Sequence, residues 1–203
     1  MVKWGMRRDS VKHVYLKTPE AKELYYRQIW MMDPETMSYN AGYDREMDGY
    51  DKASGTICKT DEQLWEWYEK WTKSPNRYFA YIYDADLEIP VGEIYYQHYE
   101  NENEFGIGIV IASRYRGKGY GYPALVNLEK IAFEEKGAKA LSDWFPEKRI
   151  EAVRLFQKAG FLPTNIRRKE LVFGQEKETV KYLLTKEQYE QRKMEAGDKE
   201  KSL

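Results

Sequence analysis

The sequence predicts an α/β fold: a mixed, mostly antiparallel central sheet flanked by helices. Three observations predict it. Residues 77–112 hold three β-rich runs separated by short turns, the spacing of an antiparallel meander. Residues 120–160 then change periodicity from helix to strand and back to helix. Two last strand runs, near 166–173 and 178–184, turn around Gly174 as a hairpin.

Each element has a local reason. Residues 13–17 alternate weakly, as a short strand does. Thr18-Pro19-Glu20 offers a hydroxyl cap and then a proline at the first helical position. That helix is expected to run to about Met32 and stop near Asp33-Pro34. Residues 33–59 carry Asn40, Gly42, Gly49 and Gly55 with little periodicity and read as an irregular excursion. Thr60 and Gln63 have capping-box spacing, and Leu64, Trp67, Tyr68 and Trp71 follow at helical intervals. The tryptophans at 65, 67 and 71 read as packing between helix and sheet. The meander consists of runs at 78–83, 89–99 and 104–112, with a turn at Asp84-Ala85-Asp86. The next helix places Ala124, Leu125, Leu128, Ile131 and Ala132 on one face, with Gly137 as its cap. Residues 139–145 read as a strand. Residues 148–159 read as a helix with Ala152, Leu155, Phe156 and Ala159 inward, ended by Gly160. Thr185 and Gln188 repeat the capping-box spacing before a charged end. The expected division is a single domain over 1–185, then a short helix and charged C-terminal tail over 186–203.

Composition removes several function classes. A length of 203 residues fits one domain and supports a core without staples. The single cysteine, Cys58, excludes an intramolecular disulfide framework, and with two histidines it leaves no Cys/His metal site to expect. No apolar run approaches the roughly 18 residues of a membrane span, and the opening MVKWGMRRDSVKH lacks a signal peptide's apolar core. A cytoplasmic protein with no membrane partner is expected. Lys and Arg number 33 and Asp and Glu 34, a net charge of −1, so no nucleic-acid partner is expected either. The sum hides two charged segments, a basic turn at Arg114, Arg116 and Lys118 and an acidic stretch over 33–51.

The segment that carries chemistry begins at Ile109. The apolar run Ile109, Val110, Ile111, Ala112 delivers the chain into a turn with three glycines in five residues, Gly117, Gly119 and Gly121, ahead of a helix. The helix start points free N–H groups and the positive end of its dipole at the turn. Glycines remove the Cβ atoms that would hold a diphosphate off the backbone, and Arg116 and Lys118 add positive charge. The spacing is neither GxGxxG nor a P-loop, because no Gly-Lys-Ser/Thr end is present.

Arg116-x-x-Gly119-x-Gly121 after an apolar strand resembles the acetyl-CoA pyrophosphate loop of the GNAT superfamily of N-acetyltransferases. Downstream, Ala152-Val153-Arg154-Leu155-Phe156-Gln157-Lys158-Ala159-Gly160-Phe161 is similar to the later helix of that family, which ends in a Gly-Phe pair. The two motifs cover about 78–184. The resemblance implies a sheet splayed between the strands at 104–112 and 139–145. The pantetheine arm of acetyl-CoA would pair there with Ile109, Val110 and Ile111, and the amides of Gly117, Lys118, Gly119, Tyr120, Gly121 and Tyr122 would bind the pyrophosphate. It implies acetyl-CoA as cosubstrate, no metal, and direct transfer of acetyl to a primary amine. A small cationic amine is expected, because the acidic 33–51 stretch, interleaved with Tyr39, Tyr43 and Tyr50, would attract one. Two alternatives stand beside it: a protein N-terminal acetyltransferase of the ribosomal-protein type, and a non-catalytic CoA-binding module. A homodimer is a further expectation, since family members often dimerise.

The base is open between Glu104, at the start of the family's usual strand, and Glu93, on the strand before it. His98 has a suitable pKa range but reads as a surface residue. The acid departs from the family, because Phe156 stands where many members have a tyrosine near the cofactor sulfur. The asparagine usual before that helix is also missing, with Lys148 or Arg149 in its place. Another tyrosine, water, or no efficient acid remain as options. Ser142 and Asp143 lie near the expected site and suit a polar role.

Overall fold

The computed structural model describes residues 12–98 and 104–201. The opening residues, Tyr99 at the end of the second meander run, and 202–203 lie outside the described residues. Seven strands form one sheet: β1 (Val14–Lys17), β2 (Arg77–Asp84), β3 (Ile89–His98), β4 (Phe105–Ile111), β5 (Ala140–Phe145), β6 (Leu162–Val172) and β7 (Gln175–Thr185). Their order is β1-β2-β3-β4-β5-β7-β6, and only β4 and β5 run parallel.

Strand alternation divides the core between the two faces. Ala80, Ile82, Ile94, Tyr96 and Ile107 face Leu125 and Leu128 of α4 (Gly121–Lys130) and Ala132 of the π-helical turn that follows it (Ile131–Glu135). Phe79, Tyr81, Tyr83 and Val110 face Trp30 and Met31 of α1 (Leu24–Met32) and Met37 of the short α2 (Pro34–Met37). Trp67 and Trp71 of α3 (Asp61–Thr72) pack edge-on against Phe79, at 4.8 and 6.4 Å between centroids. Trp65 belongs to the other side of that helix, 44% exposed, and does not join the packing.

Two of the three helix starts hold as written in the sequence. Thr60 and Gln63 form a reciprocal capping box at α3, and Thr185 and Gln188 do the same at α6 (Lys186–Lys201). The start at Thr18 does not. Its hydroxyl donates to the Phe79 carbonyl at 3.0 Å, and Glu20 caps a 3₁₀ turn at Ala21–Glu23 that leads into α1. The last helix is longer than expected, although few of its apolar side chains reach the core. It docks through Tyr189, stacked 4.8 Å from Phe133 and donating to Glu134, and through Arg192, which pairs with the buried Glu129 and donates to the Ala159 carbonyl. The hairpin β6–β7 also begins earlier, at Leu162, and turns through Phe173 and Gly174, both at positive φ. The helix α5 (Ile150–Lys158) ends at Gly160, φ +90°, as its sequence indicates.

Candidate active site

The sheet parts between β4 and β5. They pair only at Phe105↔Leu141 and Gly106↔Ser142, so residues 107–111 present an unpaired edge. That edge runs straight into the glycine turn. Gly117 and Gly119 have φ of +70° and +89°, which L side chains rarely adopt, and a Cβ at Gly117 would meet nothing within 4 Å. Gly121 has a different duty: a Cβ there would come within 2.9 Å of Leu155 on α5, so glycine lets two helices close. In the turn, Gly117, Lys118, Gly119 and Tyr120 donate no backbone hydrogen bond among the described residues. The first amides of α4 have no intrahelical acceptor. A diphosphate's oxygens fit this cradle of unused donors beside an unpaired strand edge.

The side chains around the turn divide their work differently from the expectation. Tyr120 is 3% exposed and donates to the buried carboxylate of Asp84 at 2.6 Å, so only its backbone can face a ligand. That bond, with the amides of Asp86 and Leu87 and Lys12, holds the Asp84 carboxyl below the usual range despite its burial. Arg116 turns back from the turn. Its guanidinium donates to the carbonyls of Ile111 (3.1 Å), Glu35 (3.0 Å) and Thr36. It straps the excursion to the end of β4, which leaves Lys118 and Arg114, both exposed over Tyr115, as the turn's available cations. Phe156, expected among the cofactor-binding residues, is 2% exposed and packed 4.9 Å from Phe145 and 5.0 Å from Phe161.

On the α1 face of the sheet lies a cleft of about 730 Å³, bounded by β3, β4, β5, β6 and the excursion. Both expected carboxylates line it and both are ion-paired, although the Glu93 Oε2 is buried without a hydrogen-bond partner among the described residues. Glu93 on β3 pairs with Arg27, whose guanidinium stacks 3.8 Å over Trp67. Glu104 pairs with Lys181 and accepts from the Ser142 hydroxyl at 3.2 Å. Asp143 is not paired in that way. It is the first residue of β5 past the last pair with β4, and among the described residues it makes no ion pair and accepts only the Trp144 amide, at 2.7 Å. Burial pushes its carboxyl up to about 7 against the opposing pull of that amide, Arg149 and Arg168.

Tyr95 stands over Gly108, where a Cβ would lie 2.5 Å from the phenol oxygen. Glycine at 108 therefore makes the room for this ring. Burial raises the Tyr95 phenol well above its usual range and pushes that of Tyr39, across the cleft, to about 12. Both stay protonated at neutral pH and are donors. His98 lies elsewhere, against Phe105 at 4.7 Å, and does not line the cleft.

The excursion does cover the cleft, but not with its acids. None of Asp33, Glu35, Asp44, Glu46, Asp48 and Asp51 lines it. Asp33 caps α2 through the amides of Glu35 and Thr36 and accepts from Ser113 at 2.8 Å; Asp44 pairs with Lys52; Asp51 caps the turn at Ala53 and Ser54. The excursion presents Tyr39, Tyr43 and Arg45 instead. Sequence reasoning gave these acids the role of a cationic-amine trap; the structure has Asp33 and Asp51 in local caps and Asp44 in an ion pair, none of them in the cleft lining.

A family model for the GNAT acetyltransferase domain matches residues 14–162. The chain belongs to that family, whose members use acetyl-CoA as donor, and it is an N-acetyltransferase by that membership. Solved structures agree on the fold. A GNAT-family acetyltransferase from Bacillus anthracis is 18% identical, with a TM-score of 0.67, covering 88% of this chain and 98% of its own. A spermidine N-acetyltransferase from Vibrio cholerae, solved with CoA and spermine, is 15% identical, with a TM-score of 0.71 and coverages of 87% and 97%. A Vibrio cholerae protein assigned as a ribosomal-protein-serine acetyltransferase is 16% identical, with a TM-score of 0.61 and coverages of 87% and 95%. A search of curated protein sequences finds no match.

Proposed function

We propose that the protein moves the acetyl group of acetyl-CoA directly onto a primary amine seated in the cleft, with Asp143 as the base. The observation that carries this reading is the fork itself. The unpaired edge at 107–111 and the open turn lie on the donor side, and Asp143 stands where β5 leaves β4 and lines the acceptor cleft. The amine must lose a proton to attack the thioester carbonyl. Its nitrogen forms the new C–N bond as the C–S bond breaks, and the electron pair leaves on sulfur. A carboxyl titrating near 7 is matched to accept the amine's proton at neutral pH. Tyr95, protonated and without a hydrogen-bond partner among the described residues, is the phenol we assign to protonate the leaving thiolate, the duty Phe156 cannot perform. Glu93 and Glu104 hold Arg27 and Lys181 in place and shape the acceptor wall.

The test measures acetylated amine and free CoA together, in the wild type and in Asp143→Asn. Equal amounts of both products in the wild type, and a loss of about 100-fold or more in the variant with acetyl-CoA affinity kept, support the reading. Wild-type turnover in the variant removes Asp143 from the chemistry.

A further inference from the structure

The cleft sorts its charges. Arg27 is paired with Glu93, Lys181 with Glu104 and Arg168 with Glu170 at 2.5 Å. Two lining guanidiniums are left over. Arg45, from the excursion, lies 4.9 Å over the Tyr43 ring, and Arg149, from the corner between β5 and α5, lies 4.9 Å over the Tyr39 ring. Neither makes an ion pair among the described residues. Both act electrostatically on the phenol of Tyr43, as does Arg168, opposed there by Glu170, and Arg149 and Arg168 also act on the Asp143 carboxyl. That phenol donates no hydrogen bond among the described residues, while the Tyr43 carbonyl accepts from Tyr50. Arg45, Arg149 and the Glu170-paired Arg168 thus line the acceptor cleft from three separate chain segments and all act on the Tyr43 phenol, which marks a basic corner.

We infer that this corner binds an anionic group of the acceptor, so that the substrate class is an amine carrying a carboxylate or a phosphate. The inference rests on the transferase reading for its amine, and on the corner alone for its anion. Guanidiniums with unfilled donors pair with carboxylate and phosphate oxygens in a planar, two-pronged geometry, and Arg149 supplies one that makes no ion pair among the described residues, although it acts on the Asp143 carboxyl. A polycation meets the opposite: it would place an ammonium against Arg45 and Arg149, an unfavourable pairing in a partly desolvated cleft. Of the four acids lining the cleft, Glu93, Glu104 and Glu170 are already ion-paired, which leaves Asp143 as the one without an ion-pair partner among the described residues.

The experiment is calorimetric titration of the full chain saturated with CoA, using matched probes. O-Phosphoethanolamine is compared with ethanolamine, β-alanine with propylamine, and spermidine is titrated alongside. The anionic member of at least one pair is expected to bind about tenfold tighter than its neutral twin. The pair that shows the gap identifies phosphate or carboxylate as the group. Arg149→Gln and, separately, Arg45→Gln are expected to narrow that gap severalfold while CoA affinity, the check on folding, is kept. Equal affinity within both pairs, no binding by any probe, tightest binding by spermidine, or an unchanged gap in both variants overturns the inference. The same samples with acetyl-CoA keep the two readings apart. Anion-dependent binding without acetylation leaves the corner standing and brings down the transferase reading, whereas preferred acetylation of spermidine does the reverse.

Discussion

The donor side and the acceptor side of this molecule are built from different material. The donor side is one continuous stretch from β4 through the glycine turn into α4, and its working parts are backbone: an unpaired strand edge and amides with no acceptor. The acceptor side draws side chains from α1, the excursion, β3, β5, the corner before α5, β6 and β7, and its working parts are rings and charges. Backbone chemistry depends on local conformation, so it is set by neighbouring residues. Side-chain chemistry across a cleft depends on which distant segments the fold brings together.

Predictions follow that division. Asp143→Asn is expected to lower kcat by about 10²- to 10⁴-fold and leave acetyl-CoA affinity intact, read by steady-state kinetics and titration. The wild type's kcat/KM is expected to rise with pH through about 7 as Asp143 deprotonates, with a further rise from the amine itself. The same group has a stability signature of definite sign. Its folded pKa is raised, so its contribution is fully present below the unfolded value near 4 and is lost as pH rises through about 7. Asp143→Asn is therefore expected to raise Tm relative to the wild type more at pH 8 than at pH 5. A variant that is slower yet more stable at high pH marks a residue kept for chemistry, and equal Tm differences at both pH values would show that Asp143 is not held in a costly state.

On the donor side, Gly119→Asp combines a strained φ with a carboxylate facing the pyrophosphate site, and is expected to weaken acetyl-CoA binding by about 100-fold. Retained affinity would unseat the turn. Arg116→Gln sharpens the division further. If Arg116 is a strap and not a phosphate ligand, the variant should raise the acceptor KM severalfold through a loosened excursion and change acetyl-CoA affinity by less than about threefold. A large loss of acetyl-CoA affinity with an unchanged acceptor KM would return Arg116 to the donor side. Smallest is Tyr95→Phe, expected to cost about tenfold or less in kcat, because a thiolate leaves with little help. No change at all would hand the proton to water.

Legibility followed the same line. The meander, the α4 amphipathic face and the glycine turn were readable because periodicity and φ demands are local. The parting of β4 from β5 came from the family resemblance and is present in the pairing. The excursion was readable only as irregular. Its aspartates looked like an electrostatic wall because sequence shows charge without direction, and Asp33, Asp44 and Asp51 are caps and ion-pair partners. Glu93 and Glu104 were found as cleft carboxylates, but their partners Arg27 and Lys181 lie 66 and 77 positions away, beyond any local signal. Asp143 was visible as a polar residue in an apolar strand. What separated it from the other two, the lack of an ion-pairing cation, is a tertiary fact. Gly108 left a readable trace too, since a glycine inside a strand implies a close approach, here by the Tyr95 ring.

The central claim is that one chain joins a backbone-built donor site to a side-chain-built acceptor site at Asp143. The most direct test is product analysis by mass spectrometry with acetyl-CoA and an amine that the wild type accepts. Wild type, Asp143→Asn and Gly119→Asp are compared at matched, saturating amine. The account predicts N-acetylated amine and CoA in equal amounts from the wild type. It predicts near-complete loss of product in both variants, with acetyl-CoA binding lost only in Gly119→Asp. Wild-type product yield from Asp143→Asn, or from a Gly119→Asp protein at low acetyl-CoA, would contradict it.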